Sequence, residues 1–230
     1  MTEVILARTA GYCFGVRRAV KLAFDAPGGQ YCTLGPIIHN RNVVERLAQR
    51  GIAPVECVDQ VPEGKGLILR SHGVGPEVYE ELERKGVPYL DATCPDVKKI
   101  HRIVERESAQ GRTVVIIGDP EHPEVQAISG WCEAPLVFSR PEQIGAFFAG
   151  HPQEKDIPLS IVSQTTNTAE TFKNCCEKIK KECTNVKIFD TICGATCKRQ
   201  LEAAELARRC DLMVVVGDRG SSNTRKLFDI

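Results

Sequence analysis

Short β-branched runs alternate with helix-period stretches along this chain, and that alternation constrains the fold more than any other feature. Residues 4–7, 31–34, 66–70, 113–117, 136–138, 159–163, 186–189 and 211–216 read as strands. Helical spacing of apolar residues covers 15–24, 41–50, 76–85, 96–110, 169–182 and 197–209, with further helices starting at 125 and 225. The run 113–117 is apolar throughout, as a strand covered on both faces would be. Strand–helix alternation of this kind predicts an α/β protein with parallel sheets.

Three cysteines punctuate the pattern in related settings. Cys94 lies in Asp91-Ala92-Thr93-Cys94-Pro95-Asp96-Val97-Lys98-Lys99, where a strand ends and a helix begins. Pro95 suits the first helical position, because its missing N–H has no partner there anyway. The helix dipole and the two lysines are expected to favour thiolate over thiol at Cys94. Cys13 and Cys193 begin similar stretches, and a basic residue follows each cysteine by five positions: Arg18, Lys99 and Lys198. The cysteines are 81 and 99 residues apart, which suggests three similar units. We expect lobes at 1–94, 95–192 and 193–230, arranged with pseudo-threefold symmetry round a central cavity, the third incomplete.

Eleven cysteines are many for a cytosolic chain of 230 residues. No Cys-x-x-Cys pair occurs, so zinc-ribbon and bacterial-ferredoxin spacings are absent. A metal site must therefore draw ligands from distant parts of the chain. Lys plus Arg equals Asp plus Glu at 30 each, which argues against a non-specific nucleic-acid or membrane-surface binder. The N-terminus shows no targeting character and no apolar run approaches a membrane span, so a cytoplasmic protein is expected.

Polar loops follow the strands, and in open α/β sheets ligands bind there. These loops carry His39, His72, His122 and the run Gly220-Ser221-Ser222-Asn223. Loop histidines are ordinarily solvated, but three at equivalent strand ends suit anionic oxygens. Zinc remains open, although no His-x-x-x-His spacing occurs. Glu124 is either a first-turn glutamate favoured by the helix dipole or a buried proton donor. Gln164-Thr165-Thr166 is either a helix cap or a hydroxyl relay. His101 and His151, and the other eight cysteines, read as structural or solvent-facing, with Cys197 the one rival to Cys193.

In order along the chain stand Gly11-Tyr12-Cys13-Phe14-Gly15-Val16-Arg17-Arg18, Gly35-Pro36-Ile37-Ile38-His39-Asn40, Arg70-Ser71-His72-Gly73, Asp91-Ala92-Thr93-Cys94-Pro95, Glu121-His122-Pro123-Glu124, Ser163-Gln164-Thr165-Thr166, Thr191-Ile192-Cys193-Gly194-Ala195-Thr196 and Gly220-Ser221-Ser222-Asn223-Thr224. This succession resembles the 4-hydroxy-3-methylbut-2-enyl diphosphate reductase family, from residue 4 to the end. The resemblance implies a 4Fe-4S cluster on Cys13, Cys94 and Cys193 with one open iron. It implies a diphosphate held by His39, His72, His122, Ser221, Ser222 and Asn223, and a proton from Glu124 assisted by Thr165. Thr166 and Thr196 are second candidates in the pocket. The reaction implied is reductive dehydroxylation to isopentenyl and dimethylallyl diphosphate, in non-mevalonate isoprenoid biosynthesis, with electrons from a ferredoxin- or flavodoxin-type donor. The family continues for roughly another half-lobe, and its helix after Cys13 is longer. A non-catalytic or differently specific three-cysteine iron–sulfur protein is the alternative.

Overall fold

The computed structural model describes residues 3–230. It contains two four-stranded sheets, both wholly parallel, and each strand is hydrogen-bonded to its sheet neighbours. The first half runs α1 (Phe14–Asp25), β1 (Tyr31–Leu34), α2 (Arg41–Ala48), β2 (Pro54–Val55), β3 (Gly66–Leu69), α3 (Pro76–Lys85) and β4 (Tyr89–Asp91). The second runs α4 (Pro95–Ala109), β5 (Thr113–Ile117), α5 (Pro123–Ser129), β6 (Leu136–Phe138), α6 (Pro141–Gly150), β7 (Leu159–Ser163), α7 (Ala169–Glu182) and β8 (Val186–Ile188). Helices α8 (Gly194–Ala207) and α9 (Ser222–Phe228) follow.

The sheet orders are β2-β1-β3-β4 and β6-β5-β7-β8, one topology used twice. Strand period decides which side chains meet which helices. In β5, Val115 and Ile117 face Phe148, Phe172 and Ile179 of α6 and α7, whereas Val114 and Ile116 face Ile100, Val104 and Ile128 of α4 and α5. In β3, Ile68 packs with Ala19, Val43 and Leu47 of α1 and α2, and Leu67 and Leu69 pack with Leu82 of α3. Both sheets are thus covered on both faces, which is why β5 and β7 read as nearly unbroken apolar runs.

Two expected strands do not form. Residues 4–7 and 211–216 are coil, with Val4, Leu6, Leu212, Val214 and Val216 between 75% and 90% exposed. A strand needs a neighbour to complete its ladder, and neither segment has one among the described residues. The third unit is accordingly helical, with α8 and α9 but no sheet. Helix α6 was not expected from the sequence. Its start is set by Pro141 and by the Gln143 side chain, which accepts the Ser139 and Arg140 N–H groups.

Candidate functional site

In both sheets the strand order reverses between the two central strands, which remain parallel. Sequential strands run outward from β1 to β2 and from β3 to β4, so the carboxyl ends of β1 and β3 flank a topological switch point. The exits of β5 and β7 are the equivalent place in the second sheet. His39 and His72 follow β1 and β3, while His122, Glu124 and Thr165 follow β5 and β7.

The three histidines meet. Their ring centroids are 4.6, 5.4 and 5.6 Å apart, and each offers a nitrogen within 4.8 Å of the other two. His39 Nε2 and His72 Nδ1 are buried without a partner. Burial, and then the neighbouring imidazoles, hold His72 well below the usual histidine range and bring His122 down to about 4. His122 caps α5, its Nδ1 accepting the Glu124 N–H at 3.1 Å, which leaves its proton on Nε2. Gly73, at φ +78°, makes the tight turn beside His72, and a side chain there would meet His101 at 2.6 Å.

Glu124 is buried and wholly occupied by one residue. Its Oε1 accepts the Thr165 N–H at 2.6 Å and its Oε2 accepts the Thr165 hydroxyl at 2.7 Å. Burial raises its pKa above the usual carboxylate value, against the opposing pull of those two bonds.

Beside this pocket the three cysteines cap three helices: Cys13 at α1, Cys94 at α4 and Cys193 at α8. Their helix ends converge. A Cβ on Gly15 would stand 2.5 Å from Cys94 Sγ, and Cys193 Sγ lies 3.0 Å from an Asp96 oxygen. The supports form a ring. Arg18 of α1 donates to the Asp91 and Thr93 carbonyls before Cys94, both at 3.2 Å. Asp96 of α4 accepts from Cys193. Arg199 and Glu202 of α8 hold the backbone at Arg8, Thr9 and Gly11 before Cys13.

The five-residue echo does not identify these supports. Arg18 acts as one, but Lys99 and Lys198 are exposed, and Arg199 takes the corresponding role. The expected thiolate preference is also reversed in the protein alone. Burial pushes the Cys94 and Cys193 thiols up, Cys193 to about 11, despite backbone N–H groups directed at both sulfurs. Lys98 is occupied by Asp91 at 2.6 Å. A metal cation on sulfur removes that preference by displacing the proton.

The donor set fits an iron–sulfur cluster. It consists of three soft thiols, helix N–H groups directed at the Cys94 and Cys193 sulfurs, and a glycine in α1 where a side chain would strike Cys94 Sγ. The cysteines do not form a set with atoms within 4.8 Å of one another, whereas a single zinc would hold its sulfurs about 3.8 Å apart. The three imidazoles do form such a set and are able to hold a metal ion. Nitrogen ligands are the exception for iron–sulfur clusters, so the cysteines suit the cluster better.

Of the remaining expected residues, Ser221 caps α9 by accepting the Thr224 N–H, and Ser222 is buried. Asn223 is half-buried on the same turn. The loop before them approaches the histidines, since a Cβ on Gly220 would lie 3.5 Å from His39 Nδ1. Thr166 donates to Ser222 Oγ at 2.9 Å, and Thr196 is buried one turn into α8. Asp218, Asn167 and Lys226 carried no sequence signal of their own. Asp218 nonetheless accepts the Arg41 and Gly220 N–H groups at 3.0 and 2.8 Å, joining the last loop to the His39 loop.

A family model described as LytB protein matches residues 4–230. The chain is 38% identical over 233 residues to the 4-hydroxy-3-methylbut-2-enyl diphosphate reductase of Clostridioides difficile, covering 99% of this chain and 82% of that one. This chain belongs to the LytB family of 4-hydroxy-3-methylbut-2-enyl diphosphate reductases. The Geobacter sulfurreducens reductase is 41% identical, with 99% and 79% covered. The reductase of Clostridium tetani is much longer, and the chain spans 36% of it at 39% identity. A solved structure of (E)-4-hydroxy-3-methyl-but-2-enyl diphosphate reductase, described as the terminal enzyme of the non-mevalonate pathway, superposes with TM-score 0.75 at 39% identity, covering 100% of this chain and 82% of that one. The Plasmodium falciparum reductase superposes with TM-score 0.85 at 28% identity, covering 94% and 69%. The LytB fold therefore accounts for the α/β architecture of this chain.

Proposed function

We propose that this chain performs the reductase chemistry of its family, converting 4-hydroxy-3-methylbut-2-enyl diphosphate to isopentenyl and dimethylallyl diphosphate. The allylic C–O bond breaks, a C–H bond forms, and two electrons and two protons are consumed with release of water. The observation that carries the reading is the buried Glu124–Thr165 pair. It provides a proton source two residues from His122, in a pocket whose three imidazoles face one another.

In this reading Cys13, Cys94 and Cys193 hold a 4Fe-4S cluster with an open iron. When bound, that cluster supplies single electrons and a Lewis acid. His39, His72 and His122 donate N–H groups to the diphosphate, and Ser221, Ser222 and Asn223 close over it. Neutral imidazoles carry one N–H each and bind an anion by direction, and His122 is the one whose proton the protein already places, on Nε2. Glu124 gives its proton to the departing hydroxyl, which is a poor leaving group until protonated. Thr165 orients that carboxyl, and Thr166 and Thr196 complete the wall. The pocket's burial excludes water and strengthens each of these bonds.

The electrons come from a ferredoxin- or flavodoxin-type protein, and the lobes divide at 94/95 and 192/193. A cytoplasmic location is part of the same proposal. Among the described residues no helix is long and apolar enough to cross a membrane. Anaerobic turnover of the reconstituted protein with a chemical reductant tests the reading. It expects product from the wild type and a sharp loss in Glu124→Gln, and equal rates in both would overturn it.

A further inference from the structure

The helix that presents Ser222 and Asn223 buries little apolar surface, and rests against α8. Helix α9 has seven residues, of which Ser222 alone is buried, and Phe228 is 79% exposed. A cavity of about 360 Å³ runs along Asp119, Asn167, Arg225 and Lys226. Apolar packing of α9 is limited to the half-buried Leu227 and the helix's contact with α8, so polar links carry much of its placement.

Two such links end on neighbouring residues of the loop that carries Thr165. Thr166 Oγ1 donates to Ser222 Oγ at 2.9 Å, and Lys226 Nζ donates to Asn167 Oδ1 at 2.8 Å. Ser222 and Lys226 are four residues apart, so they share one face of the helix. Asn167 is a rigid anchor. It is 3% exposed, its Nδ2 donates to the Ile117 carbonyl at the end of β5, and its Oδ1 also accepts the Thr168 N–H. Lys226 is held inward at a cost, since burial brings its ammonium down to about 8. The remaining tie of this helix, Arg225 to Asp119 at 3.7 Å, is between exposed groups and is worth little.

We propose that Lys226, anchored by Asn167, is a positioning residue that holds the Ser222–Asn223 turn against the Thr165 loop, so that diphosphate capture and placement of the Glu124 proton are one coupled event. This rests on the diphosphate reading given above. Asn167 immediately follows Thr165 and Thr166, so a displacement of α9 reaches the residue that orients Glu124. Lys226 also lies near enough for its charge to favour ionised Glu124, a second route by which it acts on the proton donor.

The test uses the anaerobically reconstituted full chain and inorganic pyrophosphate as the probe. Affinity is read by calorimetry and loop ordering by hydrogen exchange of residues 164–168 and 217–228. In Lys226→Met, pyrophosphate should bind about tenfold more weakly. It should no longer slow exchange at 164–168, while still slowing it around His72. Lys226→Arg should restore both. Glu124-dependent turnover in Lys226→Met should shift its pH limb upward, which a merely structural change would not do. Adding Thr166→Val should cost less in Lys226→Met than in the wild type, as coupled links require. Exchange at residues 113–117 controls for folding, and if Lys226→Met unfolds, Lys226→Gln is read the same way. Wild-type affinity and protection in the variant would overturn the role of Lys226 alone. Failure of the wild type to bind pyrophosphate would overturn the diphosphate reading, and this coupling with it.

Discussion

The N–H and the hydroxyl of Thr165 both donate to the buried carboxyl of Glu124, at 2.6 and 2.7 Å. The carbonyl of the same threonine accepts the Cys193 N–H at 2.9 Å. Ser71 holds the matching place in the first sheet, its carbonyl accepting the Cys94 N–H at 3.0 Å beside His72. Each sheet thus ties one pocket loop to one cysteine through a single backbone bond. The pocket and the sulfurs cannot shift independently.

Removing the proton should separate chemistry from binding. Glu124→Gln keeps the shape and, through its amide oxygen, the Thr165 N–H bond, while the hydroxyl bond must reverse direction. It has no acid proton to give, so kcat should fall about 10²- to 10⁴-fold. Pyrophosphate affinity should be unchanged. Thr165→Val keeps the N–H bond and loses only the hydroxyl, so its loss should be smaller, about tenfold. Steady-state and single-turnover rates under reductant measure both.

Acid should unfold the protein through its buried histidines. Burial lowers His101 and His122 from 6.5 to about 4. Between those values the unfolded chain binds protons that the folded chain refuses, so stability falls as pH falls from 6.5 to about 4. Above 6.5 the contribution is complete, at most about 3 kcal/mol for each group. His101→Gln should reduce the slope of unfolding free energy against pH in this window by about one proton. Urea titrations across the range measure it.

Gly15→Ala pits helix propensity against space. Alanine would gain about 1 kcal/mol in a helix. The added Cβ would lie 2.5 Å from Cys94 Sγ, an overlap that costs about 1–3 kcal/mol. Overlap should win: a lower melting temperature and reduced iron content after reconstitution are expected.

Position decides the cost of the next pair of changes. Val216 is 90% exposed and Ile116 is fully buried between the sheet and α4. Val216→Thr should change unfolding free energy by less than about 0.5 kcal/mol. Ile116→Val should cost about 0.5–1.5 kcal/mol despite removing only one methylene. Paired denaturant titrations compare them directly.

Much of this was legible in the residues. Runs such as 113–117 and 159–163 are strands over the whole of their predicted ranges, because a strand buried on both faces tolerates few polar residues. The loop histidines were legible because strand order fixes where loops converge. Residues 4–7 and 211–216 carry the same apolar signal as true strands yet remain unpaired, since pattern specifies a face but not the presence of a neighbour. Arg199, Asp218 and Lys226 could not be singled out, because their roles come from contacts with Thr9, Arg41 and Asn167, 190, 177 and 59 residues away.

The central claim is that Cys13, Cys94 and Cys193 together hold one cluster beside the histidine pocket. Iron and sulfide counts after anaerobic reconstitution test it most directly, comparing the wild type with Cys13→Ser, Cys94→Ser, Cys193→Ser and the exposed-site control Cys57→Ser. The account predicts about four irons per chain in the wild type and the control, and loss of most of that iron in each of the other three. Full iron in any of those three, or equal loss in Cys57→Ser, would contradict it.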